Sequence, residues 1–427
     1  LCFELLELIP TYGTWKDFRS LYFYIYSRKG NNLFLFMKMN DILEKQLRSD
    51  INELDKSDGL PKISLLAKYY SHKKCFTKKV SEDESDKKGK KKEITEKSLI
   101  ENRFFSELSE RLYNPSRSIL LRSRNYAEMK LRKKLVALRR ALDIPEVKMS
   151  ANKWAEINFS KVASLCLSRN TRAFLDEDKD GNIKHPDNSV RQCCRENLIE
   201  SLSKGVKGCQ VQPNELVEKV LNDKKVSVGV AAVVNSQWES LLKSVKEQIE
   251  KRVKETGKNN FDLSKCIVMS DVSGSMAGTP MMVSIGFGIL VSQLAHESFR
   301  DLVLTFDSEP VFHSLRNEKT FVKKVQSLQG APWGGSTNFE AAMNLIVDII
   351  LENKLSESEI PQSLLVVSDM QFNDATGASD YEARPRFGWG TAYDNIRNMF
   401  KRLGEKLYGR VVEPPQIIFW NVREDLS

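Results

Sequence analysis

Histidine is scarce in this chain, with four residues in 427, and the seven cysteines (Cys2, Cys75, Cys166, Cys193, Cys194, Cys209 and Cys266) include no Cys-x-x-Cys pair. That excludes a zinc finger or ribbon, whose ligands recur at short fixed spacings. An odd cysteine count also argues against a disulfide framework, so the thiols read as reduced and intracellular. Long apolar runs are missing too. Residues 21–26 and 33–37 are interrupted by Ser-Arg-Lys-Gly, far from the roughly 20 consecutive apolar residues a membrane helix needs. No membrane association is expected, and the expected location is cytoplasmic, with the nucleus as the alternative. The chain opens on Leu1 rather than Met, which leaves open a trimmed targeting segment.

Catalytic patterns are equally absent. Ser275 has Ser273, not glycine, two positions before it, so the strained Gly-x-Ser-x-Gly elbow of hydrolases does not occur. His72, His185, His296 and His313 stand in no triad-like context, and no glycine-rich loop is placed to cradle phosphate. An enzyme is not expected.

What the chain has is charge, unevenly divided. Residues 1–260 carry 51 Lys+Arg against 36 Asp+Glu, and the remainder 15 against 21, so the parts bear +15 and −6 within an overall +9. The basic part invites an acidic partner, nucleic acid being the usual candidate, although a solvated helical surface explains the same composition. At this length, with 41% hydrophobic side chains, two or three domains are expected.

Helical periodicity dominates the first part, as in Ile42, Leu43, Leu47, Ile51 and Leu54. We expect a helical region over 1–72, a charged disordered insertion over 73–97, and a helical region over 98–255 that continues the first. Lysine-rich 87–92 within the insertion resembles a nuclear-import signal, against the plainer reading of a solvated loop. In 121–142, Tyr126, Met129, Val136 and Leu142 are expected to form the apolar side. Arg122, Arg124, Lys130, Lys133, Lys134 and Arg140 occupy most of the rest, as candidate nucleic-acid contacts or as a solvated helix back. Further helices are expected over 151–174, with Ser150 as N-cap, and over 190–203, 213–221 and 236–254. The acidic segment from Asp176 through Asp180 and Gly181 to Asp187 approaches a calcium-binding EF-hand loop, but its twelfth position is Asp and Pro186 precedes it, so an acidic surface turn is the competing reading.

Beyond 260 the pattern changes to short apolar runs, 266–269, 302–306, 364–367 and 417–420, alternating with helical patterns over 280–297, 318–328, 339–353 and 391–407. This predicts a doubly wound α/β domain over 261–427 with a parallel sheet buried on both faces. Such folds bind ligands at the carboxyl ends of their strands. The first run leads straight into Asp271-Val-Ser273-Gly-Ser275, one carboxylate and two hydroxyls on a tight turn. Thr337 and Asp369 lie on a loop and at a strand end that the fold would bring close. Hard oxygen donors of this kind suit Mg²⁺ or Mn²⁺ rather than zinc, while the alternative is that the Asp only braces its turn.

The Asp-x-Ser-x-Ser turn with a later Thr and Asp resembles the metal-ion-dependent adhesion site of von Willebrand A domains, over about 265–422. The resemblance implies that Ser273, Ser275 and Thr337 contact the metal directly or through water and that Asp271 and Asp369 support it through water. It leaves one coordination position for a carboxylate of a protein partner, and it implies a further strand and helix beyond Ser427, hence a C-terminally truncated domain. The layout of a helical part followed by such a domain resembles the Ro ribonucleoproteins, which implies RNA binding by the basic helices. It looks closer to an uncharacterised eukaryotic and viral family in which stretches like that around Trp154, itself a fit for a buried helix anchor, and Phe419-Trp-Asn-Val422 recur.

Overall fold

The computed structural model describes residues 2–27, 33–56, 61–70, 96–114, 121–207, 210–223, 226–256, 263–331, 338–369 and 389–422. The insertion expected over 73–97 and its lysine-rich 87–92 lie outside the described residues except for its last two positions. The chain divides into two compact units, Leu1–Lys153 and Trp154–Ser427.

The first unit is helical: α1 Cys2–Tyr12, α2 Trp15–Ser27, α3 Leu33–Lys56, α4 Leu66–Tyr69, α5 Glu96–Tyr113, α6 Leu121–Ala141 and α7 Pro145–Ser150. Met39, Leu43 and Leu47 recur every fourth residue along α3, so they share one face and enter a common core with Phe18, Phe105 and Leu108. The expected apolar side of α6 is corrected. Tyr126, Met129 and Val136 are exposed, and the buried stripe is Ala127, Leu131, Leu135 and Leu138. Steps of four, four and three follow the helical turn and carry three leucines, whereas the exposed set alternates with lysines that must stay wet.

The second unit opens on two 3₁₀ turns, Trp154–Glu156 and Phe159–Lys161, followed by α8 Ser164–Leu175, α9 Ser189–Ser203, α10 Pro213–Asn222 and α11 Val228–Thr256. The expected helix over 151–174 is thus broken. Ser150 does not cap it; its Oγ donates back to the Glu146 carbonyl at the end of α7, and Asn152 has φ of 57°. That left-handed step is one a helix interior does not accommodate. Trp154 therefore packs from a turn and not from a helix. Its ring lies 3.6 Å from the Arg191 guanidinium, which also donates from Nε and Nη2 to Asp176 Oδ1 at 3.1 and 2.9 Å. Asp176 is 1% exposed and also accepts from the His185 backbone N–H, with His185 Nδ1 2.7 Å from Oδ1. Burial opposes ionisation, but His185 and Arg191 outweigh it and hold the Asp176 carboxyl below its ordinary range. In the acidic segment that approaches an EF-hand loop, the first carboxylate is engaged by an arginine, and Asp178 closes a local turn by accepting from the N–H groups of Asp180 and Asn182.

The sheet comprises β1 Cys266–Ser270, β2 Leu302–Thr305, β3 Phe312–Ser314, β4 Ser363–Ser368 and β5 Gln416–Asn421, in the order β3-β2-β1-β4-β5. β2, β1, β4 and β5 run parallel, while β3 turns back antiparallel along β2, with Val303 opposite His313. An all-parallel sheet was expected; the sheet is mixed because a three-residue edge strand, Phe-His-Ser, follows β2 through a short return. The remaining helices are α12 Thr279–Leu294, α13 Phe321–Gln329, α14 Phe339–Asn353 and α15 Trp389–Tyr408. Ile267, Met269, Leu364 and Val366 share a core with Phe339, Met343 and Ile346 of α14 and with Ile396 and Phe400 of α15. Ser270, of opposite parity, turns to α12 and donates to the Ser284 carbonyl at 3.2 Å. α11 and α13 meet through Trp238, stacked on Phe321 with centroids 3.9 Å apart and hydrogen-bonded to Gln293 of α12.

At Gly404 in α15 an added β-carbon would lie 2.5 Å from the Arg410 carbonyl oxygen and 2.8 Å from the Val412 nitrogen, both backbone atoms of the returning chain. Helix propensity alone would make Gly404→Ala stabilising by about 1 kcal/mol. Overpacking against backbone outweighs it, and a net loss of about 1–3 kcal/mol is expected as a lower urea midpoint.

Candidate functional site

β1 and β4 both end in Ser-Asp, as Ser270-Asp271 and Ser368-Asp369, at the same end of two adjacent parallel strands. The Asp271 N–H donates to the Val367 carbonyl at 3.0 Å, which extends the ladder one step and fixes the Asp271 backbone beside β4. Asp271 and Asp369 are each 1% exposed. Asp271 accepts from the Ser273 N–H on Oδ1 at 3.0 Å and from Ser368 Oγ on Oδ2 at 2.8 Å. Among the described residues, the donors to Asp271 are therefore one amide and one hydroxyl rather than a cationic side chain. Beyond the carboxylate the turn tightens into a 3₁₀ step, Gly274–Met276, and brings the hydroxyls of Ser273 and Ser275 within 3.0 Å of each other. Ser275 is exposed and Ser273 half-buried, so hydroxyls sit at the mouth and carboxylates beneath.

Of the five predicted metal residues, the structure gathers Asp271, Ser273 and Ser275 on one turn and sets Asp369 on the neighbouring strand end; Thr337 lies outside the described residues. Its neighbour Asn338 donates its N–H to the carbonyl of Asp307, just past β2, and caps α14 by accepting from Ala341 N–H. Two participants escaped the sequence reading. Ser368 orients Asp271, and the repeated Ser-Asp strand ending was the available signal. Asp307 is a third acidic residue at the same end of the sheet, where its carboxylate accepts from its neighbour Ser308. Among the described residues no group of three or more His, Cys, Asp or Glu side chains is placed to hold a metal.

Of the basic residues on α6, Arg124 pairs with Glu110 at 3.1 Å and Lys134 with Asp55 at 2.6 Å. Lys130 lies over the rings of Tyr113 and Tyr126, at 5.5 and 5.3 Å from their centroids. Arg122, Lys133 and Arg140 are exposed. Among the described residues no helix is long and apolar enough to cross a membrane.

Comparison with known proteins changes the family reading. Residues 16–250 match a family described as domain of unknown function DUF2828, and residues 265–427 match one described as domain of unknown function DUF7788. An uncharacterised protein of Acanthamoeba polyphaga mimivirus is 30% identical over 299 residues, which cover 69% of this chain and 46% of that protein. The chain thus spans about half the length of this curated relative. No solved structure matches. The resemblance to von Willebrand A domains, and with it the Ro-type architecture, is corrected: the family matches are to these two families instead. The reason is physical. An Asp and two Ser on a turn, plus a later strand-end Asp, are what a parallel sheet with a polar carboxyl edge presents, and five oxygen donors across a hundred residues specify a local environment before they specify descent. With more than half its length inside the first match, the chain belongs to the DUF2828 family.

Proposed function

We propose that the second unit is a non-enzymatic binding module. In it Asp271, Asp369, Ser273 and Ser275 hold Mg²⁺ or Mn²⁺, and the ion is offered to an acidic group of a protein partner. The observation carrying this reading is the buried Asp271 carboxylate, aimed by Ser368 and the Ser273 N–H at the strand end it shares with Asp369. Strand order adds support. The chain leaves β1 for β2 on one side and enters β4 on the other, so β1 and β4 flank the point where the strand order reverses, the place at which open α/β sheets generally bind ligands. The donor set fits: two carboxylates and two hydroxyls are hard oxygens, and Mg²⁺ is commonly held by one or two carboxylates while keeping several waters. When bound, the cation would supply a Lewis-acidic contact for a carboxylate; Ser368 and the turn amide keep Asp271 in place.

Calorimetric titration of the full chain with MgCl₂ and MnCl₂ tests the site. We expect saturable binding, weakened at least tenfold in Asp271→Asn, which preserves side-chain volume, and about 10–100-fold in Ser368→Ala through loss of orientation. Metal-dependent retention of a glutamate-rich peptide, abolished by EDTA, tests the partner class. Absence of saturable heat with either metal in the folded wild-type chain sinks the proposal.

A further inference from the structure

A cavity of about 430 Å³ lies within the second unit, where α8 and α10 face each other, with Leu165 of α8 and Val230 of α11 as apolar lining. Its charged lining balances: Arg169, Arg172 and Lys219 against Glu215, Glu218 and Asp223. Arg172 is committed, with Nη2 2.8 Å from Asp223 Oδ2 and Nη1 donating to the Asp178 carbonyl. No net charge is left to attract an anion or a cation, which favours a neutral ligand. Lys219 is different from the surface lysines. It is half-buried, and its Nζ donates to the Ser168 carbonyl and lies 3.5 Å from Thr171 Oγ1, both on α8. These two acceptors occupy two of the three non-carbon positions on Nζ, and the side chain also lines the cavity.

We infer that Lys219 is a carbonyl-reactive amine, and that the cavity takes a small, largely apolar aldehyde or ketone as an imine on Nζ. In that step the Nζ lone pair forms the C–N bond, the carbonyl oxygen leaves with the two amine hydrogens as water, and a C=N bond remains, with no change of oxidation state. Burial, opposed by Asp223 and Glu215, brings the Lys219 ammonium down to about 8. At pH 7.5 the amine fraction is then about two-hundredfold that of an ordinary lysine.

The test is brief treatment of the folded chain with benzaldehyde and cyanoborohydride, which reduces any imine to a stable benzylamine, followed by peptide mass spectrometry. Lys219 is expected to be labelled at least tenfold faster than the median lysine, with a rate that climbs to half its maximum near pH 8. Labelling no faster than the median overturns the inference, because a lysine that merely clamps α10 to α8 is shielded and slow. Leu165→Trp fills the cavity from α8. It is expected to slow Lys219 labelling at least tenfold and leave exposed lysines such as Lys207 and Lys243 unchanged, with helical circular dichroism preserved. Undiminished Lys219 labelling in that folded variant also overturns the inference.

Discussion

Asp176→Ala is expected to destabilise the second unit by about 3–5 kcal/mol, the penalty for leaving a buried cation without its anion. Arg191 is 7% exposed, and its guanidinium lies over the Trp154 ring while donating to the Asp176 carboxylate. Removing the carboxylate strands the charge, since a cation–π contact worth about 0.5–2 kcal/mol does not replace a hydrogen-bonded ion pair. The companion variant separates pair strength from stranded charge. Asp176→Leu combined with Arg191→Met removes both ions, and its stability is expected to lie within about 1–2 kcal/mol of wild type. Urea midpoints of the three proteins decide the matter, and a double variant as unstable as the single one refutes the stranded-charge account. The pH dependence follows from the lowered Asp176 pKa. The unfolded chain binds this proton more readily than the folded one, so the contribution is fully present above the unfolded value near 3.9 and is lost as pH falls through the lower folded value. The loss is therefore expected in acid, below about pH 4, and not near neutrality. Asp176→Ala should flatten that part of the profile.

Phe400→Ala is expected to cost about 3–5 kcal/mol, the transfer energy of a phenyl ring plus the cavity it leaves. Phe400 is 0% exposed on α15 and sits in the core with Met343 and Ile346 of α14 and with Ile267, Met269, Leu364 and Val366 of the sheet. That core supports the strands whose next residues are Asp271 and Asp369. Phe400→Leu keeps most of the volume and is expected to lose less than half as much. A thermal or urea midpoint for Phe400→Ala equal to that of Phe400→Leu would falsify this packing.

Much of the second unit was legible because its segments advertise their own burial. The apolar run in β4 has no polar residue from Leu364 to Val367, as a strand covered on both faces requires, and the helix over 339–353 was placed with its observed bounds by its helical pattern. The carboxyl-edge placement of Asp271 and Asp369 followed from the same alternation. What escaped was of a different kind. β3 is too short and too exposed to carry a periodic signal. The dry stripe of α6 was misplaced because a period near four can be started on more than one residue. The role of Ser368 depends on a partner 97 residues away.

The sequence by itself determined that the chain has no Cys-x-x-Cys pair and no membrane-length apolar run, that its C-terminal part alternates strands with helices, and that acidic residues cap those strands. These are properties of single segments, written in composition and period. Only the tertiary structure decided which charges meet. It gives Asp176 to Arg191, sets Ser368 against Asp271, and places Lys219 on the wall of a cavity. The energy of a charge depends on its distance to other groups and on whether water remains around it, and both are set by residues remote in sequence.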